Sequence, residues 1–371
     1  MTTRLTGLRI EQFRNAAPCD LEFSDGINVV LGPNGSGKTT LLDLISGILT
    51  SPIGEDYADA KLTADLTVTG DDFQMAIAPA AKMPGATADD GEILGKPMPP
   101  EVRLQRRGEP SATAVATSQI DVPRLWALLR ARGVREPRGL MSHRFDEALG
   151  FFDVVLARSP RPPGPYYAAA KLAAGWFALP SCLDSRIRKL DVEEAPPTLE
   201  WRPLAVGAFT SLAGFSDAGL KAHLIRSAGG FAEYGDLTAV FRRGDDVAHD
   251  FSGLSYGQKR LFAFLIYSTL NPHIIVADEL VNGLHHNWIQ ACLAVLVGKQ
   301  AFLTSQNPLL IDYLEFDSVE QVKRTFILCD VDAQQRFVWR NMDDDEAASF
   351  FAAYKVGIQH VGEILRTKGF W

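Results

Sequence analysis

The run Gly32-Pro33-Asn34-Gly35-Ser36-Gly37-Lys38-Thr39, followed by Thr40, sets glycines, a lysine and a hydroxyl in the order G-x-x-x-x-G-K-[ST]. Glycines let a loop wrap so that its backbone N–H groups converge on phosphate oxygens, and the helix behind it adds the positive end of its dipole. Lys38 would neutralise the β- and γ-phosphates of a nucleotide, and the Thr39 hydroxyl would ligate Mg2+. A second constellation closes the stretch "HIIVADE", an apolar strand that ends in Asp278 and Glu279. Asp278 would hold Mg2+, mostly through water, and Glu279 would orient and activate an attacking water as general base. Between the two lies "LSYGQKR", Leu254 to Arg260, in which Ser255 and Gln258 have the spacing of a capping box. The Ser255 hydroxyl and the Gly257 N–H would also be donors at the positive end of a helix, suited to a phosphate on another molecule. One helix end can serve both uses.

These residues need elements to hold them. The apolar "INVVL" before the loop reads as a buried strand, and "TTLLDLISGIL" puts Leu41, Leu42, Leu44, Ile45 and Ile48 on one helical face. "LTGLRIEQF" alternates as a strand, and "ADLTVTG", "FQMAIAPA" and "ATAVATS" read as further short strands. The turn-rich "KMPGATADDGEILGKPMPPEVR" reads as an exposed loop. From Pro123 to Ile225 the pattern turns helical in "VPRLWALLRARG", "RFDEALGFFDVVLAR", "YYAAAKLAAGWFALP" and "DAGLKAHLIRSAG". Beyond the strand-like "DLTAVFRR" come helices in "GQKRLFAFLIYSTL" and "NWIQACLAVLVG", alternating with the strands "HIIVADE" and "QAFLTSQ". The acidic "MDDDEAASFF" reads as a helix N-terminus whose carboxylates complement the dipole. The expected fold is α/β, a nucleotide-binding head split by a mostly helical lobe. Its divisions fall at 1–122 for the first half of the head, 123–235 for the lobe and 236–371 for the second half.

The 371 residues are 46% hydrophobic and 22% charged, enough to form a sizeable core without staples. A net charge of −8 argues against a surface that coats duplex DNA everywhere, though not against a local basic groove. Cys19, Cys182, Cys292 and Cys329 are scattered, without metal-ligand spacing, which fits a reducing compartment. The N-terminus lacks an apolar signal core and no apolar run is long enough to span a bilayer, so a cytoplasmic, membrane-free protein is expected.

The order of P-loop, LSxGQ and hydrophobic-Asp-Glu resembles the ATP-binding-cassette class of ATPases. That likeness implies a signature Ser255-Tyr256-Gly257-Gln258 acting in trans on ATP held by a partner, hence a homodimer with ATP and Mg2+ sandwiched between copies. Tyr256 departs from the usual small residue. Transporter subunits of the class keep P-loop and signature closer together than here. "LRIEQFRN", the long central lobe and "ADELVNGLHH" look instead like the SMC/RecF-like branch. Within it the likeness is to stand-alone AAA-type ATPases related to the overcoming-lysogenization-defect group, many encoded with bacterial antiphage systems. It is specific at the P-loop, the signature and the Asp-Glu strand, and loose over the lobe. It implies nucleotide contacts from Arg14 and Asn15, whose other reading is a solvated turn. Asn282, Gly283, Leu284 and His285 match a dimer-interface loop after the catalytic glutamate, while Leu280, Val281 and His286 depart from it. In "FLTSQNPLL", Gln306 stands where relatives carry a histidine that contacts the γ-phosphate. Glutamine can donate a hydrogen bond but cannot become cationic near neutrality, so slow hydrolysis is expected. A glutamine sensing Mg2+ and the γ-phosphate should follow a strand before the lobe, with Gln119 the candidate and Gln74 its rival.

The lobe carries Arg124, Arg130, Arg132, Arg135, Arg138, Arg144, Arg158 and Arg161, with Arg186, Arg188 and Lys189 beyond. They form either a nucleic-acid or acidic-partner surface or a set of solvated helix faces. No second catalytic set accompanies the nucleotide site, so an effector would be a separate protein. The function expected is an ATP-dependent switch or scaffold. A RecF-like DNA-repair role and a nucleotide-locked scaffold that does not hydrolyse are its alternatives.

Overall fold

A computed structural model describes residues 3–50, 57–79, 92–93, 96–97, 100–109, 113–115, 155–158, 169–172, 175–178, 196–201, 208–228, 231–244, 247–271, 273–305, 308–356 and 361–370. The chain divides into two units. Met1–Arg144, Pro272–Val281 and Leu296–Trp371 make the first, and Phe145–Asn271 with Asn282–Val295 make the second.

The first unit is organised by a five-stranded sheet in the order Ile274–Ala277, Gln300–Thr304, Ile27–Leu31, Phe326–Val331, Phe337–Asn341. The first four run parallel, and Phe337–Asn341 closes the edge antiparallel. Their apolar runs do not alternate because both faces are covered: every residue of Ile274–Ala277 and of Gln300–Thr304 is buried. The helix Lys38–Thr50 follows the strand Ile27–Leu31 and buries Leu41, Leu42, Leu44, Ile45, Ile48 and Leu49. Each such side chain removed from water contributes about 1.5–3 kcal/mol. Parallel pairing brings the carboxyl ends of Ile27–Leu31, Ile274–Ala277 and Gln300–Thr304 to one edge, where ligands bind in open α/β sheets.

An antiparallel sheet in the same unit has the order Cys19–Glu22, Thr3–Gln12, Lys61–Val68, Asp71–Ala78, Glu101–Arg106, Thr113–Val115. Here the sequence does alternate. Leu62, Ala64, Leu66 and Val68 face inward and join Leu41, Ile45 and Phe302 in one core. Gln300, almost fully buried, ties the two sheets together. Its Oε1 accepts from the Leu5 N–H at 2.8 Å, and its Nε2 donates to the carbonyls of Leu5 at 2.7 Å and Ser24 at 2.9 Å. The helix Asp344–Lys355 begins at the capping box Asp343/Glu346, as the acidic stretch predicted.

Among its described residues the second unit holds a sheet where a mostly helical lobe was expected. Its sheet runs Gly175–Ala178, Ala169–Leu172, Val155–Arg158, Phe231–Arg243, Asp217–Ala228, Thr198–Trp201, with Val247–Asp250 on the other side of Phe231–Arg243. Between 123 and 235 the helix among the described residues is the short Phe209–Ala213. "DAGLKAHLIRSA" is a strand in which Ala218, Leu220 and Ala222 are buried at every second position. Its alanines favour a helix locally, but pairing along the whole of Phe231–Arg243 overrides that preference. The helices read in "VPRLWALLRARG" and in the first part of "RFDEALGFFDVVLAR" lie outside the described residues. The helix Tyr256–Leu270 packs Phe262 edge-on against Phe209 and Phe241, with centroids 5.1 and 4.9 Å apart. Among the described residues no helix is long and apolar enough to cross a membrane.

Candidate functional site

Backbone geometry makes the loop after Leu31. Gly32, Gly35 and Gly37 all adopt positive φ, at 144°, 82° and 82°. At Gly32 a Cβ would lie 2.1 Å from the Cys329 carbonyl oxygen, and at Gly37 one would lie 2.7 Å from the Phe337 ring. Those positions therefore admit glycine alone. Pro33, Asn34 and Gly35 are exposed, and Thr40 is half-buried in the helix. The Lys38 ammonium stays within the loop, donating to the carbonyls of Gly32 and Pro33, each at 2.9 Å. Ser36 Oγ is buried and has no hydrogen-bond partner among the described residues. A buried hydroxyl seeks an acceptor, and phosphate oxygens would supply one. Burial pushes the neighbouring Cys329 thiol up to about 12, against the pull of Lys38, so it remains a neutral packing residue.

The Thr39 hydroxyl donates to Asp278 Oδ2 at 2.6 Å. The other carboxylate oxygen, Oδ1, accepts from the Thr304 hydroxyl, and the Glu279 N–H donates to Thr304 Oγ1 at 2.8 Å. A single network thus joins the ends of two strands to the first turn of the helix Lys38–Thr50. Glu279 has φ 49°, a left-handed conformation that costs a non-glycine residue about 1–3 kcal/mol and concentrates at functional sites. One hydroxyl and one carboxylate side by side, beside a phosphate-binding loop, are the sparse protein ligand set that Mg2+ accepts when phosphates and water complete its octahedron. The residues present fit Mg-nucleotide. Thr39 and Asp278 would hold the metal, which would neutralise phosphate charge there.

Asn15 is exposed and holds the turn that leads into Phe337. Its Nδ2 donates to the Gln335 carbonyl, and its own carbonyl accepts from the Phe337 N–H at 2.9 Å. The turn it meets is stiffened by Asp332, whose carboxyl is held low by the backbone N–H of Arg336 and by that guanidinium at 2.8 Å. Arg14 is exposed at φ 45°, its guanidinium 5.4 Å from the Phe13 ring centroid. Gln74 sits mid-strand, opposite Asp65 and bonded to its carboxylate at 3.0 Å, and so does not follow a strand as the rival to Gln119 had to. Gln119, Gln306 and, of the lobe arginines named above, all but Arg158 lie outside the described residues. Thr304 and Phe337 were missed in the sequence. Both end or begin ordinary apolar strands, and only the tertiary pairing brings them to the loop and its carboxylates.

In the second unit Ser255 caps the helix Tyr256–Leu270 with the full capping box. Its Oγ accepts from the Gln258 N–H at 3.3 Å, and Gln258 Oε1 accepts from the Ser255 N–H at 3.0 Å. Gly257 is buried against the turn at Asn282-Gly283-Leu284-His285: a Cβ there would lie 2.6 Å from the Gly283 carbonyl and 3.0 Å from Trp288. Gly283 itself has φ 75° and lies under the Tyr256 ring. Tyr256 is 59% exposed, and its hydroxyl accepts from Arg260 at 3.3 Å. Ser255, Asn282, Gly283 and His285 are also exposed, while Leu284 is buried.

Comparison with known proteins speaks to the fold. An AAA domain family model matches residues 7–76. A solved structure described as the SmcHead bound to the C-winged helix domain of ScpA aligns at TM-score 0.51 and 12% identity, covering 93% of this chain and 99% of that one. The chain has the fold of an ABC-type P-loop ATPase head. An SMC head domain from Thermotoga maritima aligns over 92% of this chain and 99% of its own, at TM-score 0.40 and 15% identity. In sequence the head is similar to the DNA replication and repair protein RecF of Vibrio campbellii, 33% identical over 92 residues, which is 22% of this chain and 26% of that protein. The RecF of Vibrio cholerae is 54% identical over 41 residues, 11% of each chain. The chain thus spans about a quarter or less of the curated relatives it matches.

Proposed function

We propose that this chain is an SMC/RecF-like ATPase that binds Mg-ATP at Gly32–Thr40, pairs with a second copy around the nucleotide, and hydrolyses it slowly. The observation that supports this best is the network joining Thr39, Asp278, Thr304 and Glu279 beside the loop. In the reaction the Glu279 carboxylate takes a proton from water as the water oxygen bonds to the γ-phosphorus, and the bond to the β,γ-bridging oxygen breaks to leave ADP and phosphate. Lys38 and the loop N–H groups stabilise the charge that shifts onto phosphate oxygens. Gln306 cannot take up a proton near neutrality, so turnover stays below about one per second, under the typical enzyme rate.

The exposed Ser255 and Tyr256 favour the dimer, with the signature of one copy facing the γ-phosphate held by the other. On this reading hydrolysis reopens the pair, and the protein is a cytosolic switch that holds a separate effector until triggered. The resemblance to antiphage ATPases supports that use. The matches to RecF favour a second reading, an ATPase that binds DNA, by the arginines of the lobe or otherwise. ATP-dependent, salt-sensitive binding to gapped DNA would decide for it.

Light scattering on Glu279→Gln, with and without Mg-ATP, tests the main reading. A dimer that forms only with Mg-ATP and is abolished by Ser255→Arg in the same background is the expected outcome. A constant monomer mass defeats it. Full dimerisation without detectable wild-type hydrolysis would leave a nucleotide-locked scaffold.

A further inference from the structure

Thr304 is fully buried at the carboxyl end of Gln300–Thr304, the strand lying between the P-loop strand and the Asp278 strand. In the parallel ladder Leu303 stands opposite Ala277, so Thr304 comes level with Asp278 and Glu279. A threonine hydroxyl has one proton to give and two lone pairs. Here the proton goes to Asp278 Oδ1, and a lone pair takes the Glu279 N–H at 2.8 Å. Both bonds serve the two acidic residues, and Thr39 takes the remaining Asp278 oxygen. The Glu279 bond also anchors a residue held at φ 49°, a conformation that needs surrounding structure to keep it.

We propose that Thr304 is a positioning residue for nucleotide hydrolysis, its hydroxyl fixing the Asp278 carboxylate toward Thr39 and the metal while locking the Glu279 backbone in the left-handed turn that aims its side chain. The inference rests on the reading of the site as an ATPase. It gives the strand Gln300–Thr304 a chemical role in addition to its place in the core.

Packing and hydrogen bonding make opposite demands on the side chain, and that separates them. Thr304→Val keeps the branched shape and loses the hydroxyl; Thr304→Ser keeps the hydroxyl and loses a methyl. In the full chain, calorimetric titration with ATP at graded Mg2+ gives the half-saturating Mg2+ and the metal-free affinity, and steady-state kinetics gives kcat and KM. Thr304→Val should lower kcat about 10–100-fold and raise the half-saturating Mg2+ by a similar factor, with metal-free ATP affinity and KM within about threefold of wild type. Thr304→Ser, which keeps the hydroxyl, should restore most of both. A valine variant equal to wild type in both readouts overturns the proposal, as does a serine variant as defective as valine. If the wild type binds Mg-ATP without hydrolysing it, the proposed activity falls. The Mg2+ dependence of binding then decides whether Thr304 orders Asp278.

Discussion

The loop and carboxylates of the first unit and the signature turn of the second are both glycine-built, but they finish differently. Around Lys38 and Asp278 the polar side chains answer one another: the ammonium to loop carbonyls, Thr39 and Thr304 to one carboxylate. At Ser255–Gln258 the backbone is equally fixed, by the capping box and by Gly257 against Gly283, yet the outer face carries an exposed tyrosine, serine and asparagine. On the proposed reading the first region acts on what it binds with groups of one chain. The second holds its backbone rigid while its exposed groups face outward, as the proposed site completed by a second copy would require.

The largest effect should come from Gly32→Ala. A methyl there meets the Cys329 carbonyl at 2.1 Å at a φ of 144°, and backbone cannot move aside as a flexible side chain can. We expect a loss of stability on the order of 3 kcal/mol or more and no measurable ATP binding, read by denaturant unfolding and titration calorimetry. Near-native stability together with normal ATP affinity would mean that the loop is looser than its contacts require.

Gly257→Ala breaks the second region in the same currency. Its methyl would meet the Gly283 carbonyl at 2.6 Å and Trp288 at 3.0 Å, outweighing the gain in helix propensity. The expected cost is about 1–3 kcal/mol, with ATP affinity of the monomer unchanged and ATP-dependent dimerisation lost. If ATP affinity falls as far as it does for Gly32→Ala, the two regions are not separable in this way.

What the sequence disclosed follows the reach of each signal. The P-loop, the Asp278-Glu279 strand and the Ser255/Gln258 box are encoded in neighbouring residues, and each is found where its spacing put it. Thr304 was illegible because its partners Asp278 and Glu279 join it only through parallel pairing. The hydrogen bond of Asn15 to Gln335 was illegible for the same reason, since its partner is distant along the chain. The sheet of the second unit was misread as helix for a related reason. Ala169–Leu172, Gly175–Ala178 and Asp217–Ala228 lie in alanine-rich sequence, and their pairing partners are what make them strands. One signal for this pairing is local: two glycines in sequence separate Ala228 from Phe231, which pair antiparallel, and a Gly-Gly pair between apolar runs favours a hairpin.

The smallest effects, at Ser255, bear most directly on what the signature turn is for. As a cap alone, its hydroxyl is replaceable: Ser255→Ala should cost about 1 kcal/mol, Ser255→Gly only a few tenths, and Ser255→Asp almost nothing, since aspartate caps as well as serine. A donor aimed at a partner's phosphate ranks the same variants differently. Glycine removes the hydroxyl and should weaken ATP-dependent dimerisation while leaving thermal stability nearly intact. Aspartate keeps the cap but sets a negative charge against phosphate, so it should dimerise least of the three although it is the most stable. Unfolding and light scattering on the same three proteins would give both orders. If they run parallel, Ser255 is a helix cap and nothing more; if they cross at aspartate, the hydroxyl serves a second molecule.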